Sequence, residues 1–223
     1  MRTLNFILLN TICLALIIGF TGGCAGKKAD ENDVAALYQE AEDDIKSDHY
    51  QMALDKLKQI KNRFPYSKYA AEAELRIADV HYMQESYDEA AASYEAFRDL
   101  HPKHEKVAYA MFRAGKSYFN DIPSTIARDQ SPTQKAVDSL NEFIRRFPKA
   151  PEIEEARKLV TVSRHTLAEK ELYIGNFYYK RSEYDAAKGR YLKIIELYPE
   201  TGAAKEAKEK LNKLPSKVTV TNG

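Results

Sequence analysis

The sequence contains no tryptophan, nine glycines and two cysteines, and its 34 basic side chains almost cancel 33 acidic ones. Each shortage excludes something. A net charge of +1 leaves no basic excess to neutralise a nucleic-acid backbone, so nucleic acid is not an expected partner. Nine glycines in 223 residues, among many Ala, Glu, Lys, Leu and Tyr, lean the chain towards helix. An apolar share of 44% is that of a chain able to build a packed core, which excludes disorder. The length suits one domain, or at most two small ones.

The signatures of catalysis are also missing. There is no Gly-x-Ser-x-Gly, no Cys-x-x-Cys and no nucleophile with a base at a recognisable spacing. Gly26-Lys27-Lys28 lacks the earlier glycine of a phosphate-binding loop, because position 21 is Thr, and no Ser or Thr follows Lys27. His101-Pro102-Lys103-His104-Glu105 falls in a turn, without the spacing of a helical zinc site, and reads as a solvated turn. His81 reads as a half-buried helix residue. The acids lie along polar helix faces, where solvation and i,i+4 pairing account for them. The expectation is a protein that is not an enzyme and holds no metal or cofactor.

What is there begins with the first two dozen residues. After Arg2 comes an apolar stretch from Leu4 to Ile18, broken at Asn10-Thr11 and closed by Gly19-Phe20-Thr21-Gly22-Gly23. A positive start, a short apolar middle and a small-residue end describe a secretory signal; a spanning helix needs about 20 unbroken apolar residues. The small residues lead to Cys24. This resembles a bacterial lipoprotein signal, with Gly22 and Gly23 before the cysteine and Thr21 where an aliphatic residue is usual. The resemblance implies that Cys24 becomes the mature N-terminus and carries covalent lipid, several acyl chains together giving firm membrane attachment. Ala25 rather than Asp after the cysteine implies transfer to the outer membrane. Cys13 leaves with the signal, so Cys24 has no intrachain disulfide partner. Removal of 1–23 leaves 200 residues with 33 basic and 33 acidic groups. Residues 24–32 read as the lipidated N-terminus and a polar linker, 33–214 as the folded part and 215–223 as a frayed tail.

The folded part repeats itself. Ala41, Ala78 and Gly115 are small residues 37 apart, as are Ala53 and Ala90, and Pro65 and Pro102. Nine residues after the small residues Ala41, Ala78 and Gly175 comes Tyr-x-x-Ala, at Tyr50, Tyr87 and Tyr184. Each unit closes on Pro, at Pro65, Pro102, Pro148 and Pro199. Apolar residues recur between these points at helical spacing, as in Leu54, Leu57 and Ile60 or Leu140, Phe143 and Phe147. This is the tetratricopeptide (TPR) pattern of paired antiparallel helices, stretched from its usual period of about 34. The fold class is therefore all-α: a superhelical solenoid of four to five TPR units. Two places break the period. Nine residues are inserted before Ala136, within a loop from Asp121 to Gln134. After Pro148 the next small residue, Gly175, arrives late, and no Pro lies between Glu152 and Lys180. One fused helix of roughly 29 residues, ~44 Å long, is expected there. Thr201 is positioned to cap a last helix ending near Leu214, its outer face polar with Lys205, Lys208, Lys210 and Lys213.

In TPR solenoids certain helix-A positions face a concave groove. Here they hold Tyr38, Leu75, Tyr82, Met83, Tyr109, Phe112 and Phe119, an apolar set suited to an extended or hairpin peptide with aromatic side chains.

The order of motifs is similar to that of the BamD family, also called YfiO or ComL. The matching residues are Arg63-Phe64-Pro65-Tyr66 with Tyr69, then Tyr94, Phe97, His101-Pro102 and His104. The loop segment Arg128-Asp129-Gln130-Ser131-Pro132 is the most distinctive. Leu167-Ala168-Glu169-x-Glu171, Tyr178-Tyr179-x-x-Arg181, Tyr184-x-Ala186-Ala187-x-x-Arg190-Tyr191 and Tyr198-Pro199 complete the match, over about residues 33 to 200. The resemblance implies a scaffold of the outer-membrane β-barrel assembly machinery, lipid-anchored on the periplasmic face. Its C-terminal half would bind the periplasmic POTRA region of BamA alongside the other lipoproteins of the complex. Its N-terminal groove would receive the aromatic C-terminal signal of unfolded barrel precursors. Arg190 matches a family arginine and is the candidate for pairing with an acidic BamA residue, the alternative being a solvated arginine near Glu183. Family members often run further after the last Pro. A second reading is an envelope TPR coordinator of the Tol–Pal type. Those proteins usually carry a coiled coil and an unlipidated signal, neither of which is seen here.

Overall fold

A computed structural model describes residues 31–215. The signal segment 1–23, Cys24 with the linker to Asp30, and the tail from Ser216 lie outside the described residues. Nine α-helices follow one another within them: α1 (Glu31–Lys46), α2 (Tyr50–Arg63), α3 (Tyr69–Met83), α4 (Tyr87–Leu100), α5 (Val107–Asn120), α6 (Ser131–Arg146), α7 (Ile153–Lys180), α8 (Tyr184–Leu197) and α9 (Gly202–Asn212). The first helix starts at Glu31, so the last two residues of the expected linker are helical. Each helix packs on the next in sequence, which is the contact pattern of a TPR solenoid.

The repeated residues explain the repeated geometry. Ala41, Ala53, Ala78, Ala90, Ala136 and Ala187 are all fully buried, at the crossings where a larger side chain would hold the helices apart. A Cβ on Gly115 would stand 2.6 Å from Cγ of Leu140. Helices α2, α4, α6 and α8 all stop at the residue before proline. Phe64, His101, Phe147 and Tyr198 still donate their N–H to the helix, but adopt φ between −133° and −125° and ψ between 47° and 61°. The following proline ring disfavours helical ψ there, so four prolines set four helix ends.

The opposite turns, 47–49, 84–86 and 181–183, show what the chain does with so few glycines. Asp48, Glu85 and Ser182 take φ of 59°, 59° and 60°. The next residue's N–H reaches five residues back, from His49 to Asp44, from Ser86 to His81 and from Glu183 to Tyr178, at 2.8–3.0 Å. These are Schellman caps in which a non-glycine residue accepts the left-handed conformation, a cost of about 1–2 kcal/mol each that the cap hydrogen bonds offset.

Three clusters fill the core. The N-terminal one centres on Leu57, Ile60, Ala73 and Val80. The central one joins Tyr94, Phe97, Met111, Leu140 and Phe143. The C-terminal one joins Ala168, Tyr191, Ile194 and Ala204. The fused helix is real and 28 residues long, about 42 Å. Its first half gives Ile153, Ala156 and Val160 to the central cluster, and its second half gives Ala168 to the C-terminal one. One rigid helix therefore fixes the two halves of the solenoid relative to each other. The inserted loop is shorter than expected. It covers 121–130, and Ser131 to Gln134 already belong to α6, because Pro132 is pre-organised for a first helical turn. Thr201 caps α9 by accepting from the Ala204 N–H at 3.2 Å. That helix ends at Asn212, two residues before the expected Leu214.

Candidate peptide groove and partner face

The seven groove residues divide. Leu75 and Phe112 do not line a groove: they are 3% and 4% exposed and belong to the central core. Superhelical winding seats the following unit over them; Phe112 stacks 5.5 Å from Phe143 of α6. Tyr38, Tyr82, Tyr109 and Phe119 are half-buried, and Met83 is 40% exposed.

Beneath the accessible aromatics lies a polar network that holds them. Asp79, the residue after the small Ala78, is buried. Its Oδ1 accepts from the Tyr94 hydroxyl at 2.6 Å and the Tyr109 hydroxyl at 2.7 Å. Its Oδ2 accepts from Arg76 at 3.2 Å, and Arg76 grips Glu42 of α1 with two further bonds of 2.7 and 3.0 Å. Arg113 donates from Nε to the Tyr94 hydroxyl at 3.2 Å and lies 3.6 Å above the Tyr82 ring. Asn120 donates to the Tyr82 hydroxyl at 2.8 Å. Helices α1, α3, α4 and α5 are thereby joined by groups with fixed geometry, and Tyr82 and Tyr109 are held in set orientations. Burial, with the Asp79 carboxylate beside it, pushes the Tyr109 hydroxyl up to about 12, and Tyr94 further in the same direction. Both therefore remain hydrogen-bond donors at neutral pH.

The turn 101–106 is not merely solvated. His101 and His104 are half-buried, with ring centroids 5.0 and 5.2 Å from Phe97. His101 Nε2 sits 3.1 Å from Glu74, and Lys106 bonds Glu72 at 2.6 Å. These contacts tie the turn to α3. Burial, then Lys58, pushes His81 below its usual value, in keeping with its half-buried place.

At the other end, Arg190 bonds Glu171 of α7 at 2.8 Å rather than Glu183, which is taken by Arg181 at 2.7 Å. Lys193 shares Glu171 at 2.6 Å. Burial alone would raise Glu171, but the hydrogen bonds from Lys193 and Arg190 outweigh it and hold the carboxyl low. Arg190 is thus aimed by an intramolecular acid while its side chain stays 38% exposed. Nearby, Tyr173 and Phe177 are 49% and 52% exposed, one turn apart on α7. Sequence reading missed them because they fall outside the standard groove positions.

The inserted loop is fastened here as well. The Lys170 ammonium, a group with three donors, bonds the carbonyls of Ile126, Ala127 and Arg128 at 3.0, 2.9 and 3.0 Å. Lys170→Met leaves those carbonyls to water and removes about 1–2 kcal/mol of local stability. Amide exchange is expected to rise in 121–130 and to stay unchanged in α5 and α6; equal exchange in the loop with and without Lys170 would refute the clamp.

The outer membrane lipoprotein family YfiO matches residues 30–221. The outer membrane protein assembly factor BamD of Caulobacter vibrioides is 30% identical over 203 residues, 88% of this chain and 66% of the relative, so the chain spans slightly less than two thirds of that protein. BamD of Neisseria gonorrhoeae is 31% identical over 87% of this chain and 77% of its own. BamD of Rickettsia prowazekii is 34% identical over 86% and 78%. The match covers the candidate groove helices, the fused helix α7 and α8 with Arg190. The chain belongs to the YfiO family of outer membrane lipoproteins.

Proposed function

We propose that the protein is a scaffold, not a catalyst, of the outer-membrane β-barrel assembly complex. In this reading Cys24 carries covalent lipid and holds the chain on the periplasmic face of the outer membrane. The half containing α7 and α8 binds the POTRA region of BamA, with Arg190 meeting an acidic residue there, in company with the complex's other lipoproteins. The N-terminal groove, through Tyr38, Tyr82, Met83, Tyr109 and Phe119, receives the aromatic end of unfolded barrel precursors. The supporting observation is the groove network itself. An arginine stacked on one half-buried tyrosine and a buried carboxylate orienting another form a preorganised aromatic surface, with a cation in place for a peptide carboxylate. The family match favours this reading over a Tol–Pal coordinator.

Affinity purification from detergent-solubilised membranes tests it. BamA and other assembly lipoproteins are expected with the protein; recovery of Tol or Pal components without BamA would overturn the proposal. Arg190→Glu is expected to weaken BamA recovery at least about thirtyfold, the effect of removing one partner from a desolvated charge pair. A Glu171→Gln variant, which weakens the internal bond that aims Arg190 but keeps its charge, should lower BamA recovery less than Arg190→Glu. If Arg190→Glu co-purifies normally, Arg190 makes no such contact.

A further inference from the structure

Short turns make successive helices antiparallel, so the first three units present two edges. One edge holds the turns 64–68, 101–106 and 147–152, and Arg146 donates to the Pro102 carbonyl across neighbouring turns at 3.5 Å. The start of α1 lies at this same edge, because α1 runs antiparallel to α2. The other edge holds the turns 47–49, 84–86 and the loop 121–130.

The two edges differ in charge. On the first, Lys61, Arg63, Lys68, Lys103, Arg145 and Lys149 are exposed, and none of them has an ion pair among the described residues. Its exposed acids are Asp33 at the start of α1, Asp99, which Arg98 holds, Glu105 and Glu154, with Glu152 half-buried, besides Glu72 and Glu74, which are already engaged by Lys106 and His101. On the second edge stand Asp48, Glu85, Asp88, Glu89 and Asp121. The basic edge also carries Tyr66, a ring 100% exposed between Arg63 and Lys68, and Leu100, 60% exposed. Tyrosine flanked by lysine and arginine is the chemistry of a bilayer interface: the ring sits at headgroup depth and the cations meet phosphate.

We infer that this basic edge lies on the membrane, with Lys61, Arg63 and Lys68 against anionic phospholipid headgroups and Tyr66 in the interface. The inference rests on the proposed lipid at Cys24. Six residues separate Cys24 from Glu31, and a fully extended chain of that length spans no more than about 20–25 Å. A solenoid end tethered so closely cannot stay far from the bilayer, and the charge asymmetry decides which edge it presents. The acidic edge is turned away.

The absence of tryptophan from the sequence supplies the test. Tyr66→Trp introduces a single fluorophore at a position with no packing role. The processed lipoprotein carrying it is reconstituted into phosphatidylcholine vesicles, with and without phosphatidylglycerol. In the anionic vesicles Trp emission is expected to shift to the blue and to be quenched by brominated acyl chains, an effect that fades with added salt. Lys61→Gln, Arg63→Gln and Lys68→Gln, combined, are expected to abolish the shift, each lost charge weakening the contact about fivefold. Water-like emission in both vesicles, while the protein still floats with them, would overturn the placement. So would a shift that appears only on adding BamA, since a protein then covers the edge. Failure to float with neutral vesicles, with a mass lacking diacylglycerol, overturns the anchor and this placement together, and that result is read from flotation and mass rather than from fluorescence.

Discussion

Asp79→Ala is expected to cost about 3–5 kcal/mol of folding stability, the scale of removing one partner from a buried charged network. Three donors lose their acceptor at once. Tyr94 is fully buried, and its hydroxyl keeps as neighbours only groups that lack the carboxylate's acceptor strength, Arg113 and the Tyr109 hydroxyl among them. Arg76 retains Glu42, which moderates the loss. Tyr94→Phe removes one hydrogen bond to a charged group and should cost less, about 1.5–3 kcal/mol. The double variant should fall short of the sum, because the same bond is deleted twice. Urea denaturation measures all three. A loss below about 1 kcal/mol for Asp79→Ala would mean that water replaces the carboxylate, and that the network does not organise the groove. The functional consequence follows from the geometry: Asp79 accepts the Tyr109 hydroxyl bond, so binding of an aromatic C-terminal peptide should weaken even where the variant remains folded.

That network shows where sequence reading stops. The helices, their order and the fused α7 follow from residues whose effect is local. A small residue is needed at each crossing, and a proline ends each second helix through the residue before it. These constraints act over a few positions and recur every 37 residues, so they show as periodicity. The network is different. Glu42 and Asp79 occupy equivalent places one unit apart, each directly after its small alanine, which marks a charged position on the inner face. Which groups they meet depends on how far each unit rotates over the one before, and no spacing along the chain records that angle.

The same rotation decided the fate of the expected groove. Leu75 and Phe112 hold positions equivalent to Tyr38, but they are buried where Tyr38 stays partly open. The later units are covered by their successors. Arg190 was placed on the correct helix, yet its acid, Glu171, is 19 residues away across a helix pair, whereas Glu183 lies close in sequence and points elsewhere. Tyr173 and Phe177 were invisible for a further reason. Their exposure results from fusing two helices into α7, which moves this stretch out of the register in which a preceding unit would cover it.

The fused helix also sets up the second large effect. Gly175 of α7 is buried against α8 whereas Gly189 of α8 is exposed, so opposite outcomes are expected when each gains a side chain. A Cβ at Gly175 would stand 2.7 Å from Cε1 and 3.0 Å from Cδ1 of Tyr191, and 3.3 Å from Cβ of Arg190. Tyr191 is fully buried and its hydroxyl donates to Asn176 at 2.8 Å, so the ring has nowhere to retreat. Gly175→Val must push α8 away, at a cost of about 3 kcal/mol from overpacking. At Gly189 a Cβ meets nothing within 4 Å. Gly189→Ala should therefore add about 1 kcal/mol, the helix propensity recovered. Thermal or urea unfolding of the two variants decides the sign. The displacement at Gly175 carries further, because Arg190 is in contact there beside Tyr191. Moving α8 breaks the register that sets Arg190 and Lys193 on Glu171. A folded Gly175→Ala variant is thus expected to lose BamA recovery alongside Arg190→Glu, while Gly189→Ala keeps it. Retention of BamA by Gly175→Ala would show that the partner face does not depend on the close crossing of α7 and α8.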